Sequence, residues 1–205
     1  MRKKRRNIWR WVIISIPIFF LLLGGGIVAY FGFDLTKQTV LLAHTALSEY
    51  KPDLPDRQFD QPWPTLPAPG EKIGDLKFPS VGLDVPVVQG THDRELKKGA
   101  GHLAGSALPG QGGNVVLSGH RDTVFRKLKD LKKGEEVIFT TPYGDFIYET
   151  TDFKITHADD MTVAVPTDYE TLTLTTCYPF YFVGNAPDRY IIYTKLVSQP
   201  DIAKH

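Results

Sequence analysis

The sequence predicts a mostly β domain attached to a single N-terminal membrane helix. Three observations support this prediction. A basic N-terminus is followed by an uncharged apolar stretch, a proline-rich segment comes next, and short apolar runs separated by turn residues fill most of the remaining 205-residue chain. That length suits one ordinary domain with appendages. Because the sheet edges of such a domain must be protected, we expect a closed or nearly closed barrel.

The membrane helix is predicted from charge and length. Residues 1–10 contain six basic residues and no acidic one, and residues 11–33 are uncharged. As a helix rising about 1.5 Å per residue, the uncharged stretch reaches roughly 34 Å, enough to cross a hydrocarbon core of about 30 Å. The alternative is a cleaved signal peptide, but the stretch is long for one and no clear A-x-A site follows it. We expect a single-pass anchor in the cell membrane, with a cytoplasmic basic tail and an extracellular domain.

Residues 34–70 are predicted to form a juxtamembrane helix followed by a spacer. Apolar residues recur at helical spacing over residues 34–50, and we expect this helix to end at Pro52. Six prolines in the second half of the segment favour extended polyproline geometry, which predicts a semi-rigid spacer between membrane and domain. The alternative is an arm that packs over the domain through Trp63.

The domain itself is expected over residues 71–198, with a tail at 199–205. Seven runs rich in β-branched and aromatic residues are typical of strands on half-buried surfaces. They cover residues 73–78, 85–88, 114–118, 136–140, 146–155, 171–176 and 189–197. Pro142-Tyr143-Gly144-Asp145 predicts a hairpin between the fourth and fifth runs. Short helices are predicted over residues 93–98 and 123–129, the second with Asp122 as its N-cap.

Charge and cysteine content exclude several classes of function. The net charge of +1 combines +6 over residues 1–33 with −5 over residues 34–205, which hold 18 Lys and Arg against 23 Asp and Glu. Since membrane orientation explains the basic N-terminus, no nucleic-acid partner is expected. A single cysteine forms neither an internal disulfide nor a C-x-x-C zinc site.

The single cysteine, Cys177, follows the predicted strand 171–176, and Tyr178-Pro179 stops that strand immediately afterwards. A free cysteine is usually a small buried hydrophobe, but the end of a strand places this one at a barrel rim. Rim placement favours a function for the thiolate. A nucleophilic thiol also needs a proton partner and a group that stabilises the oxyanion.

Histidines and an arginine are candidates for those two tasks. His120 follows a predicted strand and has Gly119 beside it, whereas His102 lies in a glycine-rich loop and is the alternative. Arg189 begins the last predicted strand, twelve positions after Cys177. Its alternative interpretation is a solvated arginine paired with Asp188.

These motifs resemble those of a known family. Thr173-Leu174-Thr175-Thr176-Cys177 matches the T-L-x-T-C signature of sortases, the membrane-anchored cysteine transpeptidases of Gram-positive bacteria. Ser118-Gly119-His120-Arg121 resembles the histidine segment of that family, and the order His, Cys, Arg agrees. The resemblance covers residues 71–198 and implies an eight-stranded sortase barrel. Cys177-Tyr178-Pro179-Phe180 is most similar to class D sortases, with class A and class E as the alternatives.

The resemblance implies a role for each candidate residue. Cys177 would attack the carbonyl after the threonine of an L-P-x-T-G-like sorting signal on a surface protein, forming a thioacyl enzyme. His120 would act as acid and base, Arg189 would hold the carbonyl or the oxyanion, and Thr176 with its backbone would be a secondary oxyanion contact. The accepting amine would come from a cell-wall precursor, the lipid II peptide.

Alternatives remain at this point. The thioacyl enzyme could release its product to water, as in a cysteine endopeptidase, or the chain could be a membrane-tethered β-barrel binding module with an idle cysteine. A pilus-type sortase usually has a second apolar segment, which residues 199–205 lack, and often a lid, which Asp60-Gln61-Pro62-Trp63 faintly resembles. We expect no lid.

Calcium is the one metal that this resemblance raises. Family calcium sites, where present, use clustered loop carboxylates, and Asp152, Asp159 and Asp160 could contribute here. Two adjacent acids on a β-rich surface are more often simply solvated, so we expect no required metal and no other cofactor.

Overall fold

The computed structural model describes residues 2–48, 62–181, 184 and 186–201, which fall into two compact units, 1–41 and 42–205. The chain begins with helix α1 (Arg2–Leu47), so the predicted membrane and juxtamembrane helices are one continuous element. Residues 15–47 of α1 are long and apolar enough to cross a membrane, with a mean hydropathy of 2.1 in the most apolar window. The helix ends at Leu47, before the predicted end at Pro52, which lies outside the described residues.

Eight strands form a closed barrel, which confirms the predicted fold class. They are β1 (Lys72–Phe78), β2 (Leu83–Gln89), β3 (Ala100–His102), β4 (Asn114–Ser118), β5 (Glu136–Thr141), β6 (Gly144–His157), β7 (Thr171–Tyr178) and β8 (Asp188–Ser198). Their order around the barrel is β1-β2-β3-β4-β7-β8-β6-β5, and β5 pairs with β1 to close it. The pairs β2–β3 and β4–β7 are parallel, and the other pairs are antiparallel.

The alternating pattern of each strand decides which side chains fill the barrel. On β7, Leu172 and Leu174 are buried in the core together with Val115 and Leu117 of β4. Because successive side chains of a strand point to opposite faces, Thr175 and Cys177 project from the outer face of β7. The sequence pattern therefore places the cysteine outside the apolar core.

Strand β3 is absent from the sequence prediction, which assigned its residues to a glycine-rich loop. The glycines are there because the backbone of β3 approaches its neighbours closely. A Cβ atom at Gly101 would lie 2.3 Å from the Gly90 carbonyl oxygen, and one at Gly99 would lie 2.2 Å from the Pro86 carbonyl oxygen. Glycine weakens the strand signal of a sequence, but tertiary packing requires it here.

The short helices agree with the sequence only in part. Helix α2 (Asp93–Leu96) is shorter than predicted. The predicted helix 123–129 is a 3₁₀ helix, Arg126–Asp130, and its N-cap position is Phe125, so Asp122 is not its N-cap. The reason is a tight turn before the helix, in which the Phe125 N–H donates to the His120 carbonyl at 2.9 Å. The predicted hairpin is confirmed, because only Pro142 and Tyr143 separate β5 from β6.

The described end of the predicted spacer packs against the barrel through Trp63, which is the alternative raised above. The Trp63 side chain is only 4% exposed and belongs to the main hydrophobic core. Its Nε1–H donates to the Pro109 carbonyl at 2.8 Å, and its ring meets Tyr143 edge to face at 5.0 Å. Residues 62–63 therefore complete the core of the barrel.

Trp63→Ala should lower the free energy of unfolding by about 3–5 kcal/mol, because it removes a buried indole and leaves a cavity. Denaturant unfolding of the full chain, followed by circular dichroism, measures this loss. The matched control is Leu66→Ala, since Leu66 belongs to the same segment but is 78% exposed, and it should change stability by no more than about 0.5 kcal/mol. Equal stability of the two variants would show that the segment is only a tether.

Candidate active site

An open cavity of about 550 Å³ lies where β4 and β7 end, and all four predicted site residues line it. The cavity is lined by Thr91, Asp93, Leu96, Ser118, Gly119, His120, Arg121, Asp122, Thr175, Thr176, Cys177, Gly184, Ala186 and Arg189. These residues come from four separate parts of the chain. The fold therefore brings together side chains that are up to 98 positions apart in the sequence.

Cys177 and Arg189 are brought together by strand pairing. Strands β7 and β8 are antiparallel, and Cys177 lies directly opposite Arg189 in their register. Side chains of directly opposed residues share one face, with Cβ atoms about 4.5–5.5 Å apart. Cys177 is only half-buried, so its thiol is placed on the outer face of the barrel, in the cavity and beside the arginine.

Arg189 is held by backbone carbonyls rather than by a carboxylate. Its Nη1 donates to the carbonyl oxygens of Asp188 at 3.0 Å and Ala186 at 3.3 Å. The Asp188 carboxylate lies 3.7 Å from Nδ1 of His157, and no Arg189–Asp188 ion pair, the alternative raised above, occurs among the described residues. Because its hydrogen-bond partners are neutral carbonyls, the guanidinium keeps its full positive charge, and it lines the same cavity as Cys177.

His120 reaches the cavity because β4 and β7 are parallel and end at the same edge of the sheet. Ser118 lies opposite Thr175, and the Gly119 N–H extends the pairing by donating to the Thr175 carbonyl at 3.1 Å. His120 thus follows β4 at the level where Cys177 stands on β7. A Cβ atom at Gly119 would lie 2.6 Å from the Phe125 ring, so glycine is required directly before the histidine.

Thr176 is buried and supports this turn. Its hydroxyl donates to the Gly119 carbonyl at 2.7 Å, which ties β7 to the residue that precedes His120. The hydroxyl proton is therefore already used within the protein. This contact makes the Thr176 side chain a support for the histidine turn.

His102, the alternative proton partner, is not among the described residues that line the cavity. It lies on β3 and is only 1% exposed. Its Nδ1 is 2.8 Å from Gln89 Oε1 and its Nε2 is 2.9 Å from the Ala107 carbonyl oxygen. Burial lowers the pKa of His102, opposed by the hydrogen bond to Ala107. Its imidazole therefore belongs to the packing of β2, β3 and the loop that follows.

The sequence did not reveal the α2 wall of the cavity, formed by Thr91, Asp93 and Leu96. These residues lie in the crossover between the parallel strands β2 and β3. The sequence predicted a short helix after β2, but it did not show which residues that helix lies beside. Only the parallel pairing of β3, which the sequence did not show, brings α2 to the cavity.

Trp63 and the carboxylates considered for calcium lie elsewhere. Trp63 contacts the loop before β4, whereas His120 follows the end of β4, and Asp60 and Gln61 fall outside the described residues. Asp152 pairs with Lys133 at 2.6 Å. Asp160 accepts from Lys154 at 2.8 Å, a contact that strongly lowers the pKa of Asp160. Among the described residues no cluster of three metal-binding side chains occurs.

Comparison with known proteins identifies the class that this barrel and cavity define. A family model for the sortase domain matches residues 76–197, and the chain therefore belongs to the sortase family of cysteine transpeptidases. Members of this family act on surface proteins that bear sorting signals.

The similarity is strong to sortases of one class. The chain is 40% identical to Sortase D of Bacillus subtilis over 194 residues, which cover 89% of this chain and 98% of the relative. The catalytic domain of a Bacillus anthracis sortase D is 39% identical with a TM-score of 0.57, covering 72% of this chain and 97% of that one. A Clostridium perfringens sortase D transpeptidase is 29% identical with a TM-score of 0.59, covering 65% and 83%. The predicted resemblance to class D is confirmed.

Proposed function

We propose that this sortase cleaves an L-P-x-T-G-like sorting signal after its threonine and transfers the threonyl end to an amine of a cell-wall precursor, the lipid II peptide. One observation carries the proposal. Cys177 and Arg189 are directly opposed on one face of the barrel, and His120 lines the same cavity. A nucleophile, a fixed positive charge and a proton carrier therefore meet at one open site.

In the acylation step, the Cys177 thiol gives its proton to His120, and the resulting thiolate attacks the threonine carbonyl carbon and forms a C–S bond. Electrons move to the carbonyl oxygen, and the resulting oxyanion is stabilised by the Arg189 guanidinium. When the intermediate collapses, the C–N bond breaks and His120 donates a proton to the departing glycine amine. The product is a thioester between Cys177 and the surface protein.

In the second step, the acceptor amine attacks the thioester carbonyl. His120 removes a proton from that amine, the C–S bond breaks, and the Cys177 thiolate is restored. Two of the Arg189 N–H contacts are already made to carbonyls, so the guanidinium is held before the substrate arrives. A preorganised charge needs little rearrangement during the reaction.

The N-terminal helix supports a matching location. With its basic end in the cytoplasm, α1 would leave the barrel outside the cell, tethered to the membrane. Sorting-signal proteins and lipid-linked precursors are both held at that surface. A short tether then keeps the enzyme at high effective concentration relative to both substrates.

Product analysis distinguishes transfer from hydrolysis. The full chain in detergent is given an L-P-x-T-G peptide with or without an amine, using triglycine for an α-amine and diaminopimelate for a side-chain amine. We expect the peptide–amine adduct to replace the free acid in the mass spectrum. A peptide of the same composition in scrambled order is the control. Free acid as the sole product with every amine would instead identify a cysteine endopeptidase.

A further inference from the structure

One segment of the barrel surface differs sharply in charge from the rest. Residues 121–133 contain six basic and two acidic residues, a formal charge of +4. The other residues of 34–205 contain 12 basic and 21 acidic residues, a formal charge of −9. We use the term basic face for the exposed basic members of this segment, which are Arg126, Lys127, Lys129, Lys132 and Lys133; Asp122 and Asp130 are exposed as well.

The basic face is fixed in place by apolar side chains between the charges. Val124, Phe125, Leu128 and Leu131 are buried in the core of the barrel. This anchoring forces the charged side chains of the 3₁₀ helix Arg126–Asp130 to point outward. The basic face is therefore a rigid part of the folded surface.

Most of its charge is not neutralised inside the protein. Lys127 Nζ donates to the Gly82 carbonyl at 2.7 Å, and Lys129 Nζ donates to the Tyr181 hydroxyl. Both partners are neutral, so they orient the ammonium groups without cancelling them. Lys133 pairs with Asp152 on the exposed surface, where such ion pairs are weak.

The segment that carries the basic face, residues 121–133, begins at the active-site cavity. Arg121, at the start of the segment, lines the cavity and donates to the Gly184 carbonyl at 2.8 Å. Lys129 also lies 4.8 Å from the centre of the Tyr181 ring, which is 75% exposed beside the basic face. Tyrosine is enriched where proteins meet the headgroup region of a membrane.

We propose that the basic face docks on an anionic lipid bilayer and thereby turns the mouth of the cavity toward the membrane surface. The proposal rests on the membrane anchor described under the proposed function. Attraction between exposed charges extends only over about 10 Å, so the tether is needed to bring the face within reach. Each Lys or Arg close to an anionic membrane favours the docked orientation about fivefold. The acidic remainder of the barrel is repelled from the same surface.

Lysine labelling in vesicles tests this orientation. The full chain is reconstituted in phosphatidylcholine alone or mixed with phosphatidylglycerol, treated with an amine-reactive reagent, and digested for mass spectrometry. We expect Lys127 and Lys129 to be labelled several times more slowly in the anionic vesicles, with the difference lost at high salt. Lys154 and Lys195, which pair with Asp160 and Glu149, are internal references that should be unaffected by lipid.

Paired variants sharpen the test. Arg126→Gln with Lys132→Gln should weaken docking about 25-fold and remove the protection, whereas Lys154→Gln with Lys195→Gln removes as much charge and should retain it. Both should cleave a soluble peptide at the wild-type rate, so a failure of the proposed function would be seen separately as absent cleavage. Equal labelling in both lipids would overturn the proposal. Protection in neutral vesicles would overturn it too, because it would indicate a protein contact.

Discussion

Cys177→Ala should abolish cleavage of a sorting-signal peptide, lowering kcat/KM by about 10⁴-fold or more. The substitution removes the sulfur that forms the acyl bond, and no other thiol exists in the chain to replace it. Because Cys177 is small, half-buried and outside the apolar core, stability should change by less than about 1 kcal/mol. Initial rates with a fluorogenic peptide and thermal unfolding of the same samples check both expectations.

Alkylation provides an independent test of the same residue. Iodoacetamide, a small alkylating reagent, should modify the folded wild-type chain once, at Cys177. The modification should abolish cleavage to the same extent as the substitution. The Cys177→Ala variant should take up no reagent. If the folded protein resisted alkylation and the variant still cleaved peptide, the cysteine would be an idle surface residue and the chain would lack its proposed nucleophile.

Most of the strands could be predicted from the sequence, because each of these strands has its own local pattern of residues. The alternating run 171–176 indicated a strand that ends at Cys177, and that inference needed no knowledge of neighbouring strands. The hairpin between β5 and β6 was equally local, since a proline and a glycine mark its turn. Local sequence patterns therefore predicted both a β-barrel domain and the position of the cysteine at the end of a strand.

Structural features that depend on contacts between residues distant in the sequence could not be predicted. Gly101 of β3 and the preceding Gly99 fit against the backbone of Gly90 and Pro86, and a sequence does not show how closely two backbones approach. Trp63 looked like part of a proline-rich spacer, because only the folded barrel supplies the Pro109 carbonyl and the Tyr143 ring that receive it. In both cases tertiary packing overrode the local signal.

The assembly of the site falls between these two cases. The resemblance of their motifs to those of sortases suggested that His120, Cys177 and Arg189 belong together, but strand register explains why they meet. An antiparallel pairing places Arg189 opposite Cys177, and a parallel pairing ends β4 and β7 at the same level. A shift of one residue in the β7–β8 register would put Arg189 on the other face of the sheet. The site therefore depends on this register as well as on the residues themselves.

His120→Ala should lower kcat/KM for an amide substrate by about 10²–10⁴-fold, because the departing amine would leave without a proton. The kcat/KM for a thioester substrate should fall less, since a thiolate is a good leaving group without protonation. His157→Ala is the matched control: the His157 side chain is 80% exposed at the same end of the barrel, but it is not among the described residues that line the cavity. Steady-state kinetics on both substrates measure the contrast. An equal fall in kcat/KM for the amide and the thioester would indicate that His120 acts on the thiol rather than on the leaving group. An unchanged kcat/KM for the amide would show that His120 has no role in the mechanism.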